Sequence, residues 1–172
     1  MGSTRILEGV LNVLAERGIG ALSVRSVAAA ADVSPAQVQY YYRTKNDLVR
    51  AGFDYVGEQF DRDLASAECD TVADYVAQWL PLDEHRDRRA RVWIAYTSLA
   101  VNDEKLRMAA EQLDSEIRTW FTTFGMSDAQ AGQLFAMIDG VTTQCLMLPM
   151  PQRKRLVDQT IGNFLEAMGH PG

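Results

Sequence analysis

The stretch LSVRSVAAAADVSPAQVQYYYRTKNDLVR, residues 22–50, reads as two short helices joined by a tight turn and followed by the start of a longer third helix. Ser23 is placed to cap the first helix, its hydroxyl free to accept from the open amides of the first turn. Val24, Val27, Ala28 and Ala31 then recur at helical spacing and form one apolar face. Asp32 falls where the chain must turn; Gly enters the left-handed region most easily, and Asp tolerates it better than most residues. Val33 packs into the angle between the helices, Ser34 caps the second, and Pro35 takes its first position, where a missing N–H costs nothing. The second helix spans Pro35 to Tyr41. Val38 and Tyr42, four apart, point inward together, leaving Ala36, Gln37, Gln39, Tyr40 and Tyr41 outward.

A short helix with amides and phenols on its outer face suits the major groove of DNA. Gln pairs with an adenine edge through two hydrogen bonds, Tyr reaches phosphate oxygens, and a lysine such as Lys45 neutralises a phosphate just beyond the helix. Arg25, at the start of the preceding helix, is placed to meet a guanine or a phosphate. Many helical hairpins share this outline, and three consecutive tyrosines alone more often sit at a core boundary. The joint register of cap, proline, aromatic cluster, basic residue and newly capped helix favours a DNA reader.

ILEGVLNVLAERG (residues 6–18) followed by LSVRSVAAAADVSPAQVQYYYRTKNDLV (residues 22–49) resembles the DNA-binding domain of the tetracycline-repressor (TetR) family of bacterial regulators. The resemblance implies that Arg25 contacts a base or phosphate, that Ser34, Ala36 and Gln37 begin the recognition helix, and that Lys45 binds phosphate. Tyr41 stands where family members often have His, and Tyr42 where they have a core Phe. Asp32 replaces the usual turn Gly and should add mild strain; Gln39 replaces a frequent Tyr, which alters that contact and with it the operator preference. Ser3, Thr4 and Arg5 remain as a short arm, from which Thr4 is expected to touch DNA. Further on, RVWIAYTSLAVNDEKLR (residues 91–107) and IDGVTTQCLMLP (residues 138–149) weakly resemble the ligand-binding part of betaine-responsive repressors in the same family.

The chain has 172 residues, 47% of them hydrophobic, enough for a packed interior. No apolar run approaches a membrane span and no secretory segment is apparent, so a cytoplasmic protein without a membrane partner is expected. Two scattered cysteines, Cys69 and Cys145, suit neither a disulfide framework nor a metal site. The formal net charge of −6 is unevenly spread: residues 1–51 carry +2 and residues 52–172 carry −8. The reading end is mildly basic and the acidic remainder should face away from a duplex. His85 and His170 stand apart in a charged loop and a terminal tail. With no Gly-rich phosphate cradle and no Cys/His or carboxylate set at metal spacing, an enzyme, a metal and a cofactor are not expected.

Beyond residue 50 the pattern is helical throughout, giving an all-α fold of about nine helices: a three-helix DNA-binding domain over residues 1–46 and a helical ligand-binding and dimerisation domain over residues 47–172. A long helix from Asp47 to about Ala67 ties the reading end to the acidic region and is a candidate lever. Further helices are expected near Thr71–Leu80, Arg88–Asn102, Glu104–Phe124, Ser127–Met147 and, after the Pro149-Met150-Pro151 break, Arg153–Met168. The aromatics Trp79, Trp93, Tyr96, Trp120, Phe121 and Phe124 form a candidate ligand pocket, although any one of them is equally a core residue. Asp139, Thr142, Thr143 and Gln144 are polar on an otherwise apolar helix, open to a ligand or to a partner helix. The lack of a cationic cluster speaks against a phosphorylated effector and for a neutral or mildly polar, largely apolar one.

The last two helices, through Ile138, Val141, Cys145, Val157, Ile161, Phe164, Leu165 and Met168, are expected to pair with their copies in a homodimer. A helix-turn-helix reader ordinarily needs two half-sites, and the terminal pair resembles the family's four-helix dimer bundle. These expectations describe a ligand-responsive transcriptional regulator, a repressor released from a palindromic double-stranded operator by a small-molecule effector. The alternative is a helical ligand-binding or co-regulatory protein whose DNA binding has weakened, with Asp32 and Gln39 in its favour.

Overall fold

The structure is a computed structural model that describes residues 2–169; His170 lies outside them. The elements are α1 (Gly2–Arg17), a 3-10 turn (Ile19–Ala21), α2 (Val24–Ala31), α3 (Pro35–Tyr41), α4 (Lys45–Ser66), α5 (Val72–Trp79), α6 (Glu84–Ala100), α7 (Glu104–Thr122), α8 (Asp128–Leu146), α9 (Met150–Val157) and α10 (Asn163–Ala167). A π turn over Asp158–Gly162 joins α9 to α10 without a break, so the pair is one rod interrupted by a π-bulge. No strand occurs among the described residues.

Caps fix most helix starts. Ser23 Oγ accepts from the Ser26 N–H at 3.1 Å while the Ser23 N–H donates to Ser26 Oγ at 2.9 Å, a reciprocal box in which Ser replaces the usual Glu or Gln. Thr44 with Asp47, Thr71 with Asp74 and Ser127 with Gln130 repeat the arrangement. Because Thr44 is the cap, α4 starts at Lys45, two residues before the expected start. Asp83 accepts from the Arg86 N–H at 2.8 Å, so α6 starts at Glu84 and its first turns are the charged run EHRDRR. The last rod starts at Met150 rather than Arg153, since Pro151 in a first turn forfeits no intrahelical bond.

Between α2 and α3, Asp32 adopts φ 52°, ψ 53°, the one positive φ at a non-glycine among the described residues. The Asp32 N–H donates to the Ala29 carbonyl at 3.4 Å and the Val33 N–H to the Ala28 carbonyl at 3.0 Å. That is a Schellman closure, which turns the chain sharply enough to set α3 across α2.

Two apolar clusters hold the molecule together. The first joins Ile6, Val10, Leu11 and Leu14 of α1 to Val27, Val38, Leu48 and Val49, and extends into α6 through Val92, Ala95 and Tyr96. The second gathers α5, α7, α8 and the last rod around Phe121, Leu134, Ile138 and Leu165. The first core therefore crosses the expected boundary at residues 46/47, with α4 and α6 built into the head. Close approach makes this junction tight. A Cβ on Gly9 would lie 2.9 Å from the Ala31 Cβ and 3.0 Å from the Val27 carbonyl oxygen, and one on Gly52 would lie 2.9 Å from Val10 Cγ1.

Candidate functional site

The head presents the residues expected to read DNA. Arg25, Ser34, Ala36, Gln37, Gln39, Tyr40, Tyr41 and Lys45 are all exposed, while Val38 beneath them is fully buried. Tyr40 is 81% exposed, so its ring and hydroxyl stand free at the surface of the head. Ser34 Oγ accepts from the Gln37 N–H at 3.2 Å, fixing the start of α3 and the direction of Gln37. Tyr42 turns inward, its hydroxyl 3.3 Å from Ser3 Oγ.

Thr4 does not stand on an arm. Residues Gly2–Arg17 form one helix, so Ser3, Thr4 and Arg5 are its first turn, with Ile6 fully buried one residue later. The apolar repeat of α1 carries the helix back to the start of the described chain, and Thr4 is exposed on it at a fixed position. Arg5 Nη2 donates to Asp32 Oδ2 at 3.3 Å, tying α1 to the turn before the recognition helix.

A cavity of about 580 Å³ lies between α4, α5, α6, α7 and α8, within the ~300–1,000 Å³ range of small-molecule sites. All three tryptophans of the chain, Trp79, Trp93 and Trp120, line it. Tyr96, Phe121 and Phe124 do not line it. Tyr96 is core, its hydroxyl donating to the Leu106 carbonyl at 3.1 Å; Phe121 is fully buried; Phe124 packs against Trp120 at 4.5 Å between ring centres. Residue type could not separate these rings, because which helix face meets the cavity depends on how the helices cross. The sequence reading missed Phe53 and Phe60 of α4, Tyr75 of α5 and Phe135 of α8 as lining residues. Tyr75 stacks on Trp120 at 3.5 Å, and the Arg89 guanidinium lies 4.8 Å from the centre of the Phe60 ring.

It also missed the acidic lining apart from Asp139. Asp54, Glu58 and Asp61 of α4, Glu116 of α7 and Asp139 of α8 border the cavity, against the single base Arg89. Arg89 Nη1 donates to Asp63 Oδ2 at 2.9 Å and Nη2 to the Gln78 carbonyl, so its charge is already matched. Asp139 Oδ1 accepts from Trp93 Nε1 at 2.8 Å. Burial raises the Asp139 carboxyl above its ordinary value and the charge of Asp114 adds to this, against the hydrogen bond from Trp93. Of the four polar residues left open on α8, Asp139 and Thr142 line the cavity; Thr143 and Gln144 are exposed outside it.

Five of the eight residues expected at a dimer interface need correction. Ile138 lines the cavity, and Val141, Cys145, Ile161 and Leu165 are buried inside the protomer. Val157, Phe164 and Met168 are half-buried against the same cluster. The most apolar face of each helix packs internally. The face of α8 left to solvent is instead the ridge Gln133, Ala136, Gly140, Thr143, Gln144 and Met147.

Cavity and head share two helices. Arg88, beside the cavity residues Arg89 and Ala90 on α6, donates from Nη2 to Glu8 Oε2 at 2.8 Å, the Glu8 carbonyl at 3.2 Å and Asn12 Oδ1 at 2.7 Å, all on α1. From α4, Tyr55 Oη donates to Glu8 Oε1 at 2.7 Å and Gln59 Nε2 to the same oxygen at 3.2 Å. Burial works to raise the Glu8 carboxyl, but the hydrogen bonds from Tyr55 and Arg88 and the charge of Arg88 outweigh it and hold the group below its ordinary value. Phe53 of α4 stacks on Tyr96 of α6 at 4.0 Å.

Residues 6–51 match the family described as bacterial regulatory proteins, tetR family, and residues 69–170 match the BetI-type transcriptional repressor C-terminal domain. The HTH-type transcriptional regulator PksA of Bacillus subtilis (strain 168) is 24% identical over 95% of this chain and 88% of its own length. The crystal structure of a transcriptional regulator from Rhodococcus sp. Rha1 superposes with a TM-score of 0.82 at 25% identity, covering 97% of each chain. That of the multidrug binding protein EbrR complexed with ethidium superposes with a TM-score of 0.68 at 26% identity, over 93% of this chain and 99% of the other. No helix among the described residues is long and apolar enough to cross a membrane, and no group of three or more candidate metal ligands occurs among them.

Proposed function

The chain belongs to the TetR family of bacterial DNA-binding regulators, and from that premise we propose that it is a homodimeric repressor whose hold on a two-fold symmetric operator is released by a small molecule in the aromatic cavity. One observation carries the reading: α4 and α6 each form cavity wall on one side and attachment to the head on the other, through Phe53, Tyr55, Arg88 and Trp93. A molecule that alters the packing of Phe53 or Trp93 displaces the helices that position α3. Ligand then shifts the population between a head spacing that matches two half-sites and one that does not, provided that it binds the two states unequally. The EbrR complex with ethidium supports a small-molecule effector in a relative of this fold. The chain is a regulator and not an enzyme, as the named relatives are.

Each recognition helix meets one half-site. Arg25, Gln37 and Gln39 are placed for base edges, and Thr4, Ser34, Tyr40, Tyr41 and Lys45 for the backbone, with Ala36 at closest approach. Selection of bound duplexes from a randomised pool at near-physiological salt tests this. Recovery of a two-fold symmetric motif is expected, together with loss of binding to it in the double variant Arg25→Ala, Gln37→Ala, with the helical spectrum unchanged. Recovery of no motif, with only weak salt-sensitive binding, favours the helical ligand-binding protein with weakened DNA binding.

A further inference from the structure

We propose that the effector taken by this cavity is a flat, lipophilic organic cation, with the half-buried Asp139 carboxylate as its counter-ion; this rests on reading the cavity as the effector site. The walls are aromatic on five helices, Phe53 and Phe60 on α4, Tyr75 and Trp79 on α5, Trp93 on α6, Trp120 on α7 and Phe135 on α8. Ring faces attract cations, tryptophan most strongly. The protein already uses this contact once, in the planar Arg89 guanidinium over Phe60.

Charge decides between cation and neutral molecule. Five carboxylates border the cavity and its one base is engaged by Asp63 and the Gln78 carbonyl. Four of the five, Asp54, Glu58, Asp61 and Glu116, are exposed and form an acidic mouth, which concentrates cations and repels anions. Asp139 differs: it is partly withdrawn from water, makes no ion pair among the described residues, and has one oxygen held by Trp93 while Oδ2 has no hydrogen-bond partner among them. A withdrawn carboxylate without a counter-charge is costly, and the cost falls when a cation enters beside it. A neutral aromatic of the same outline would fill the space and leave that charge desolvated, so the site should reject it relative to the cation. Stacking of Tyr75 on Trp120, 28° from parallel, makes part of the wall flat and favours a planar guest.

The test uses a matched pair of probes, N-methylquinolinium and methylnaphthalene, alike in shape and differing in charge. Each is titrated into the full chain with tryptophan quenching as the readout, all three tryptophans being in the wall. The cation is expected to bind at least ~10-fold more tightly than the hydrocarbon. Asp139→Asn, which keeps an acceptor for Trp93, should remove most of that preference while leaving methylnaphthalene affinity within about twofold. Glu116→Gln, on an exposed position that leaves packing untouched, should weaken the cation by a smaller factor at low salt. Equal affinity of the parent protein for both probes overturns the proposal, as does an Asp139→Asn protein that folds and retains the preference. Operator affinity, followed in the same samples, separates the two readings. A cation bound selectively through Asp139 with no effect on DNA keeps the ligand class and defeats the release mechanism.

Discussion

Asp32 shows how much one residue determines in this chain. Its left-handed backbone closes the Schellman turn and aims α3, and the family's usual residue at this place is glycine. The left-handed region costs a residue with a Cβ about 1–2 kcal/mol, less for Asp and Asn, whose short polar side chains hydrogen-bond locally. Asp32→Ala should therefore destabilise the fold by about 1 kcal/mol and Asp32→Gly should be neutral or stabilising, measured by urea unfolding. The Arg5–Asp32 ion pair is not the cause, because its side chains are 59% and 95% exposed and such pairs contribute ~0–1 kcal/mol. Arg5→Ala with unchanged stability serves as the control; a loss equal to that of Asp32→Ala would contradict the backbone account. This turn, like the caps at Ser23 and Ser34, was legible in the sequence because its chemistry is local. Thr4 was not, since nothing local separates an arm from a first turn whose support comes from α3 and Tyr42 across the head.

At the scale of the element, α4 and α6 are two-sided, and only one side was visible beforehand. Leu48 and Val49 face the head core, but Phe53, Asp54, Gly57, Glu58 and Phe60 acquire their places in the cavity from the crossing of α4 with α6. The same limit explains why the three tryptophans reached the cavity while Tyr96 and Phe121 stayed in the core. The link from cavity to head runs through Arg88, which donates three hydrogen bonds to α1. Arg88→Ala should cost about 1–2 kcal/mol of stability, the range for hydrogen bonds to charged groups discounted for partial exposure. It should also leave cavity binding intact while bringing ligand affinity with and without saturating operator towards equality, because linkage is reciprocal. Coupling that persists at full size would move the lever elsewhere. Acid should act on the same joint. The folded protein holds Glu8 below its ordinary value, so its contribution is present above the unfolded carboxyl's titration and is lost as pH falls through the folded one. The difference in stability between parent and Glu8→Gln should shrink over that acidic window.

For the whole molecule, the proposed dimer has to bring two mildly basic heads on acidic bodies to one operator. Each protomer carries +2 over residues 1–51 and −8 over residues 52–172, so two bodies repel. Any self-association must use a surface that adds no further like charge. The solvent face of α8 meets that condition: between Ala129 and Leu146 the helix carries one charge, Asp139, and that residue lines the cavity. The exposed ridge of Gln133, Ala136, Gly140 and Thr143 is narrow enough for helices to approach closely, and a Cβ built on Gly140 meets nothing within 4 Å inside the protomer. Gly140→Glu should consequently leave each protomer folded, apart from the modest change in helix propensity. It would set two carboxylates against one another wherever α8 meets its copy. The expected result is a halved mass in light scattering, an unchanged helical spectrum, and operator affinity lower by ~100-fold or more, the loss that follows when two linked half-site contacts become independent. The halved mass should be most complete at low salt, where repulsion between the acidic bodies is least screened. A dimer that survives Gly140→Glu would place the shared surface on another face and leave the uncharged ridge to a different partner.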